Sequence, residues 1–442
     1  MSRGPRLKSV DLQIDARWIA PVVPAKVLEH HSLIVDKGRI IDLCPTARAR
    51  LQYQAKQHHQ LGESIVTPGF INLHNHAAMT LMRGVGSDLP LQQWLEDAIW
   101  PMENAQVSYE MVSLGARWSI AEMLTGGTTT FSDMYFYPDA VAEAALEMGL
   151  RCQLATPIID FPTAWATDAA DGISKTLALH DQYKHHSRVT IALGPHAPYT
   201  VSDETFTKLR TLADQLNLRI QCHVQETQSE VDDAIKAGGE RPLQRLHRLG
   251  LLGPDFQAVH VVALNDDDIA LLAETNSTAV TCPDSNLKLA SGLARTRDLL
   301  AAGVNLCIGT DGAASNNDQD LLSEARNATL LAKGGSGDAT AMTLQQTLQV
   351  MTLNGARALG LDDEIGSLEI GKAADMVAIN LSDPFLKPLT DPLAAVFYTA
   401  RACVDQVWID GRLKAEQGRP AGVDVNALAR DVQRMRKTME KS

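Results

Sequence analysis

The amino-acid sequence predicts an α/β protein, a closed (β/α)8, TIM-like barrel with a small β-sandwich domain built from both termini. Three observations predict it. Apolar strand-like runs recur eight times through the middle of the chain, helical patterns of ten or more residues separate most of them, and both flanks read as short strands joined by turns. No Gly-rich fingerprint follows the first run, which argues for a closed barrel over an open doubly wound sheet.

The elements follow in order. The N-terminal part of the small domain, residues 1–66, carries Leu12-x-Ile14, Ser32-Leu33-Ile34-Val35 and Arg39-Ile40-Ile41-Asp42, with Asp36-Lys37-Gly38 as a turn. The barrel is predicted over 67–365, with strands near 67–76, 128–134, 151–158, 189–196, 219–223, 258–264, 278–282 and 304–310. Caps support the intervening helices. Ser108 precedes Met111, Leu114, Trp118 and Met123, with Gly126-Gly127 as the stop; Ser202 opens a helix from Thr205 to Leu216; Asp266 opens one carrying Ile269 and Leu272. Residues 366–442 return to the small domain through Met376-Val377-Ala378-Ile379 and Val404-Asp405-Gln406-Val407-Trp408-Ile409, then end in an amphipathic helix over 424–441.

Of 442 residues 45% are hydrophobic and 21% charged, ample for one large core and one smaller. A net charge of −13, from 40 Lys+Arg against 53 Asp+Glu with no basic face, excludes nucleic acid as a partner. No apolar run approaches the ~20 residues of a membrane span, and no apolar signal core follows the N-terminus. The six cysteines are scattered without a C-x-x-C pair, which suits reduced, buried thiols. The expectation is a soluble, cytoplasmic protein without a membrane partner, and the letters leave a homo-oligomer open.

Eight of the thirteen histidines lie in polar loops or beside charged helix positions. The other five, His74, His76, His196, His223 and His260, lie in or just past predicted strands, so a barrel gathers most of them at one mouth. Strand alternation points His74 and His76 the same way. Glu226 follows His223 by three residues, and Asp311 ends a buried strand beside Gly312-Ala313-Ala314, where an unpaired carboxylate is costly. Three imidazoles and a carboxylate with room for water have the composition of a catalytic zinc site, whose natural use is hydrolysis.

The set Thr67-Pro68-Gly69-Phe70-Ile71-Asn72-Leu73-His74-Asn75-His76, His223-x-x-Glu226, His260 and Gly309-Thr310-Asp311-Gly312 resembles the metal-dependent hydrolase barrels of the amidohydrolase superfamily. More narrowly, with Trp100-Pro101-Met102-Glu103, Gly194-Pro195-His196 and Ser285-Asn286-Leu287-Lys288, it looks like the methylthioadenosine/S-adenosylhomocysteine deaminase family over nearly the whole chain. The resemblance implies one zinc ion per subunit on His74, His76, His223 and Asp311, with His260 contacting the attacking hydroxide and Glu226 as proton shuttle. It implies that Asp311 takes the water proton, that His196 contacts substrate in place of a metal-bridging lysine, and that Glu103 accepts ribose hydroxyls. Trp94 is read as lining an apolar pocket, together with Trp100, Met79, Met82 and Leu89.

The implied activity is hydrolytic deamination of an adenosine-type nucleoside, 5′-methylthioadenosine with adenosine or S-adenosylhomocysteine beside it, to the inosine analogue and ammonia. The stretch 160–172 is acidic and aromatic where relatives using both substrates supply arginine, so a neutral 5′-group is expected. Two other readings stand beside this one: a hydrolase of the same site acting on guanine, 8-oxoguanine or an s-triazine, and a non-catalytic scaffold. Glu103 separates the first of these, because a free base has no ribose to hold.

Overall fold

The computed structural model describes residues 7–399, 401 and 403–440. These divide into two compact units, one drawn from Asn72–Glu122, Thr130–Met342 and Asp424–Ser442, the other from Met1–Ile71, Met123–Thr129 and Thr343–Val423. These divisions follow packing, whereas the sequence boundaries at 66/67 and 365/366 follow the style of the strands.

The first unit holds the barrel, save the first two residues of the strands that open at Phe70 and Thr128. Its eight strands are Phe70–Asn75, Thr128–Asp133, Arg151–Ile158, Val189–Pro195, Ile220–Val224, Phe256–His260, Thr278–Thr281 and Asn305–Ile308, paired in chain order, all parallel where the register is defined. Between the last strand and the first, closure comes from individual hydrogen bonds: Thr310 N–H to Asn72 Oδ1 at 3.0 Å, and Asp311 N–H to the His74 carbonyl at 3.0 Å. Side chains at Gly309 would prevent this approach, since a Cβ there would lie 2.7 Å from the His74 Cβ. The sixth strand ends four residues before its predicted limit, because His260 and Val261 both take positive φ, 72° and 44°.

Helices connect the strands as the caps predict. Ser108 Oγ accepts the Met111 N–H ahead of helix Tyr109–Thr125, and Ser202 accepts the Thr205 N–H ahead of Asp203–Leu216. The cap of helix Asp266–Glu274 is Asn265 rather than Asp266, in a reciprocal box with Asp268. The terminal helix runs Val425–Met439 and packs on the short 3₁₀ helix Ala77–Met82, where Arg436 Nη1 donates to the Leu81 carbonyl at 3.2 Å. Lys441, expected in the same helix, lies outside the described residues.

The second unit is a nine-stranded mixed sheet built from both flanks. Strand Lys8–Ile19 pairs with Leu28–Asp36, Tyr53–Gln60 and Ser64–Pro68, and Ser64–Pro68 pairs antiparallel with Met376–Asn380, which brings the two ends of the chain into one sheet. The predicted run 67–76 is therefore two strands, broken at Pro68-Gly69. Pro68 cannot donate to a ladder, and at Gly69 a Cβ would meet the Thr129 side chain at 2.2 Å, so the chain bends where only glycine fits.

Candidate metal centre and substrate pocket

The C-terminal ends of three barrel strands carry the predicted ligands to one point, and a fourth brings His260 beside them. His74 and His76 lie with ring centroids 4.8 Å apart, and their Nε2 atoms stand 3.4 and 3.1 Å from Asp311 Oδ1. His223 Nε2 is 3.2 Å from His74 Nε2, and the His260 ring stacks on His223 at 5.4 Å. His74, His76 and Asp311 form one group able to hold a metal ion, and His74, His223 and His260 form a second that shares His74.

The imidazoles are oriented from behind. Each Nδ1 meets an oxygen acceptor: Gln221 Oε1 for His74 at 3.0 Å, the Met134 carbonyl for His76 at 2.5 Å, the His196 carbonyl for His223 at 2.7 Å, and Asn286 Oδ1 for His260 at 3.0 Å. An oxygen acceptor puts the proton on Nδ1 and leaves the Nε2 lone pair free, which is the tautomer a metal requires. Gln221 is itself fixed, since its Nε2 donates to the Leu73 carbonyl and to Gln257 Oε1 in a fully buried polar layer inside the barrel. On the other side of the centre, Ser285 and Ser315 each donate to Asp311 Oδ2 at 2.6 Å.

Burial pushes His74 down to about 4, holds His223 well below the usual imidazole range and lowers His260, so these imidazoles are neutral. Burial opposes a charge on His76 as well, but its hydrogen bond to Asp311 prevails and carries it up to about 9. For Asp311 burial works against the anion, and the His74 and His76 imidazoles beside its Oδ1 outweigh it, holding the carboxyl well below its usual range. The donor set is thus three neutral imidazoles and a fourth, His76, that shares a proton with Asp311, and a divalent cation such as zinc fits by taking the place of that proton.

Glu226 follows the fifth strand through Gln225, whose φ is 52°. The Glu230 carboxylate holds this turn by accepting the N–H groups of Gln225 and Glu226 at 2.9 and 2.8 Å. Ser291 Oγ donates to Glu226 Oε1 at 3.3 Å, and Glu226 Oε2 lies 3.7 Å from His260 Nε2. Burial, then the nearby Asp311 charge, pushes the Glu226 carboxyl up to about 8.

Above these groups opens a cavity lined by Glu103, His196, Trp94, Trp100, Tyr135 and Phe161 among others. Met79 lines it too, whereas Met82 is fully buried and neither it nor Leu89 lines the cavity, so those two leave the pocket predicted for them. Trp94 Nε1 donates to the Val85 carbonyl at 3.1 Å, and His196 Nδ1 pairs with Thr200 Oγ1 at 3.1 Å. Tyr135 donates its hydroxyl to Glu103 Oε1 at 2.8 Å. Among the described lining residues there is no lysine or arginine. The expected site residues therefore lie together, and the groups that sequence reasoning missed are those that orient them: Gln221, Asn286, Ser285, Ser315, Glu230 and Tyr135. Gln221 had a signal, because it stands two before His223 on one strand and so faces the same side.

Residues 65–414 match the amidohydrolase family. A 5-methylthioadenosine/S-adenosylhomocysteine deaminase of Saccharophagus degradans is 46% identical over 404 residues, 91% of either chain. A 5′-deoxyadenosine deaminase of Methanothermobacter thermautotrophicus is 42% identical over 90% of this chain and 92% of its own. Among solved structures, an adenosine deaminase from Xanthomonas campestris with bound zinc superposes with a TM-score of 0.97 at 43% identity, covering 99% of this chain and 100% of that one. An atrazine chlorohydrolase from Arthrobacter aurescens complexed with zinc shares the fold, with a TM-score of 0.89 at 22% identity over 96% and 100% of the two chains.

Proposed function

The chain belongs to the amidohydrolase family, and on that premise we propose that it is a zinc-dependent hydrolytic deaminase of adenosine-type nucleosides. It turns 5′-methylthioadenosine, and adenosine-like relatives, into the inosine analogue and ammonia. The observation that carries the reading is the meeting of two ligand groups at His74, one with His76 and Asp311 and one with His223 and His260, beneath a cavity that holds two further carboxylates, Glu226 and Glu103.

His74, His76, His223 and Asp311 would hold one zinc ion, which when bound supplies the Lewis acidity that makes water a nucleophile near neutral pH. Asp311 accepts the proton that this water gives up. His260 presents Nε2 toward the attacking side with its ring fixed by Asn286. Glu226, protonated at neutral pH, donates to the ring nitrogen beside the attacked carbon, Asp311 passes its proton to the amine, which departs as ammonia, and Glu226 regains a proton from the hydroxyl that becomes the carbonyl. Glu103 accepts hydroxyls of the ribose, His196 contacts the substrate, and Trp94 walls the apolar part of the pocket.

A neutral 5′-substituent fits a cavity whose lining carries no lysine or arginine, since a homocysteine carboxylate would enter without a cationic partner. The Lys175 ammonium near the 160–172 loop is engaged by Asp171 and the Trp165 carbonyl. A missing charged hydrogen bond corresponds to roughly tenfold or more in kcat/KM for methylthioadenosine over S-adenosylhomocysteine. None of Cys44, Cys152, Cys222, Cys282, Cys307 and Cys403 is in a disulfide, and no helix among the described residues is long and apolar enough to cross a membrane. A cytoplasmic location agrees with both, and assembly into a homo-oligomer is a matter for light scattering.

The deciding experiment offers metal-analysed protein methylthioadenosine, adenosine, S-adenosylhomocysteine, guanine and an s-triazine, reading ammonia release and the adenine-to-hypoxanthine absorbance change. Turnover of the nucleosides at about one zinc per chain is expected. Silence on every nucleoside with metal bound would overturn the reading and favour a free base or triazine.

A further inference from the structure

Tyr135 sits in the cavity wall with no role in the chemistry above. It lies two residues past the barrel strand Thr128–Asp133 and is 4% exposed. Its hydroxyl reaches Glu103, 32 residues earlier on helix Trp100–Gln106. Among the described residues this hydroxyl is the one hydrogen-bond donor to the Glu103 carboxylate. The residue before it, Met134, is anchored as well, because its carbonyl takes the Nδ1 proton of His76. One short segment therefore ties the metal-ligand histidine to the carboxylate at the other side of the pocket.

A half-buried carboxylate with a single protein donor has one preferred orientation; without that donor it has several, or takes up a proton. Burial pushes the Glu103 carboxyl up to about 7, and the Tyr135 hydroxyl pulls toward the anion. Burial and the Glu103 charge hold the Tyr135 phenol well above its usual range, so it stays a donor.

We propose that Tyr135 is a positioning residue that sets the enzyme's preference for a 2′,3′-diol, by engaging Oε1 of Glu103 and leaving Oε2 and the remaining lone pair to accept both ribose hydroxyls. The inference rests on the nucleoside reading of the site. Tyr135 contacts the sugar only through Glu103, so its removal costs diol recognition and leaves the purine chemistry in place.

The test compares kcat/KM for adenosine and 2′,3′-dideoxyadenosine in zinc-loaded wild type, Tyr135→Phe, Glu103→Ala and the double variant. Two hydrogen bonds to a charged acceptor give wild type a preference of about 100-fold for the diol. Tyr135→Phe should cut that preference about tenfold through KM for adenosine, leave kcat/KM for the dideoxy compound within about twofold, and add nothing once Glu103 is alanine. Equal losses on both substrates would make Tyr135 a plain structural residue and overturn the proposal, as would additive effects in the double variant. A wild-type preference near one would remove Glu103 from the ribose, and the proposal with it, while deamination itself stood.

Discussion

Glu226 and Glu103 share one cavity and one side-chain chemistry, yet the mechanism needs them in opposite protonation states. Burial raises both, but the Asp311 charge adds to the rise at Glu226, whereas the Tyr135 hydroxyl opposes it at Glu103. Glu226, at about 8, holds a proton at neutral pH and can give it away. Glu226→Gln keeps every metal ligand and loses that proton path, so zinc content should stay at the wild-type level while kcat falls by about 10²- to 10⁴-fold. Full activity in this variant would remove Glu226 from the proton transfer. Glu103, at about 7, must be an anion to accept two hydroxyls, and the charged or titratable groups facing it are Tyr135 and His76. As pH falls through 7 it protonates, so KM for adenosine should climb toward tenfold per pH unit while KM for the dideoxy compound stays flat. Parallel profiles for the two substrates would contradict this. At this scale the sequence exposed the groups that do chemistry, because His, Glu and Asp at strand ends have few other uses. It hid the groups that aim them: Asn286 meets His260 across 26 residues and Gln221 meets His74 across 147, and no local pattern encodes a partner that only the closed barrel supplies.

Between strands, the centre depends on two close approaches. The first is at Gly309, where a Cβ would lie within 2.8 Å of the His74 backbone nitrogen and carbonyl oxygen as well as its Cβ. Backbone cannot yield as a flexible side chain does, so Gly309→Ala should separate the first and eighth strands, cost about 1–3 kcal/mol of stability and lower zinc occupancy. Calorimetry with metal analysis reads both, and a variant with wild-type melting and full zinc would show that the seam is looser than its geometry. The second is the glutamine layer under His74. Gln221→Met keeps the volume and loses the acceptor for Nδ1–H, and zinc affinity measured by chelator competition should drop about 10- to 100-fold. The eight strands themselves were readable from their apolar runs and caps, since burial on both faces of a parallel strand leaves a continuous apolar segment. The break at Pro68-Gly69 and the early end of the sixth strand were not, because each follows from a neighbour or a backbone twist at the site rather than from composition.

For the molecule as a whole, the ligand set spans the seam where the barrel closes. His74 and His76 come from the first strand end and Asp311 from just past the eighth, and between those strands only scattered hydrogen bonds take the place of a ladder. A metal ion on both sides of that seam cross-links the ends of the barrel sequence, and it binds the folded state alone because the ligands lie up to 237 residues apart, from His74 to Asp311. Free zinc at about 1,000 times its Kd then adds about 4 kcal/mol to the stability of the folded chain. For a unit of this size that corresponds to a fall in Tm of about 8–16 °C when a chelator strips the metal. The loss should be absent in His74→Ala, which has no complete site to empty, and calorimetry of holo and stripped protein gives both numbers. An unchanged Tm on stripping would mean that the hydrogen-bonded seam already holds the barrel shut, leaving to the metal only the chemistry at its mouth.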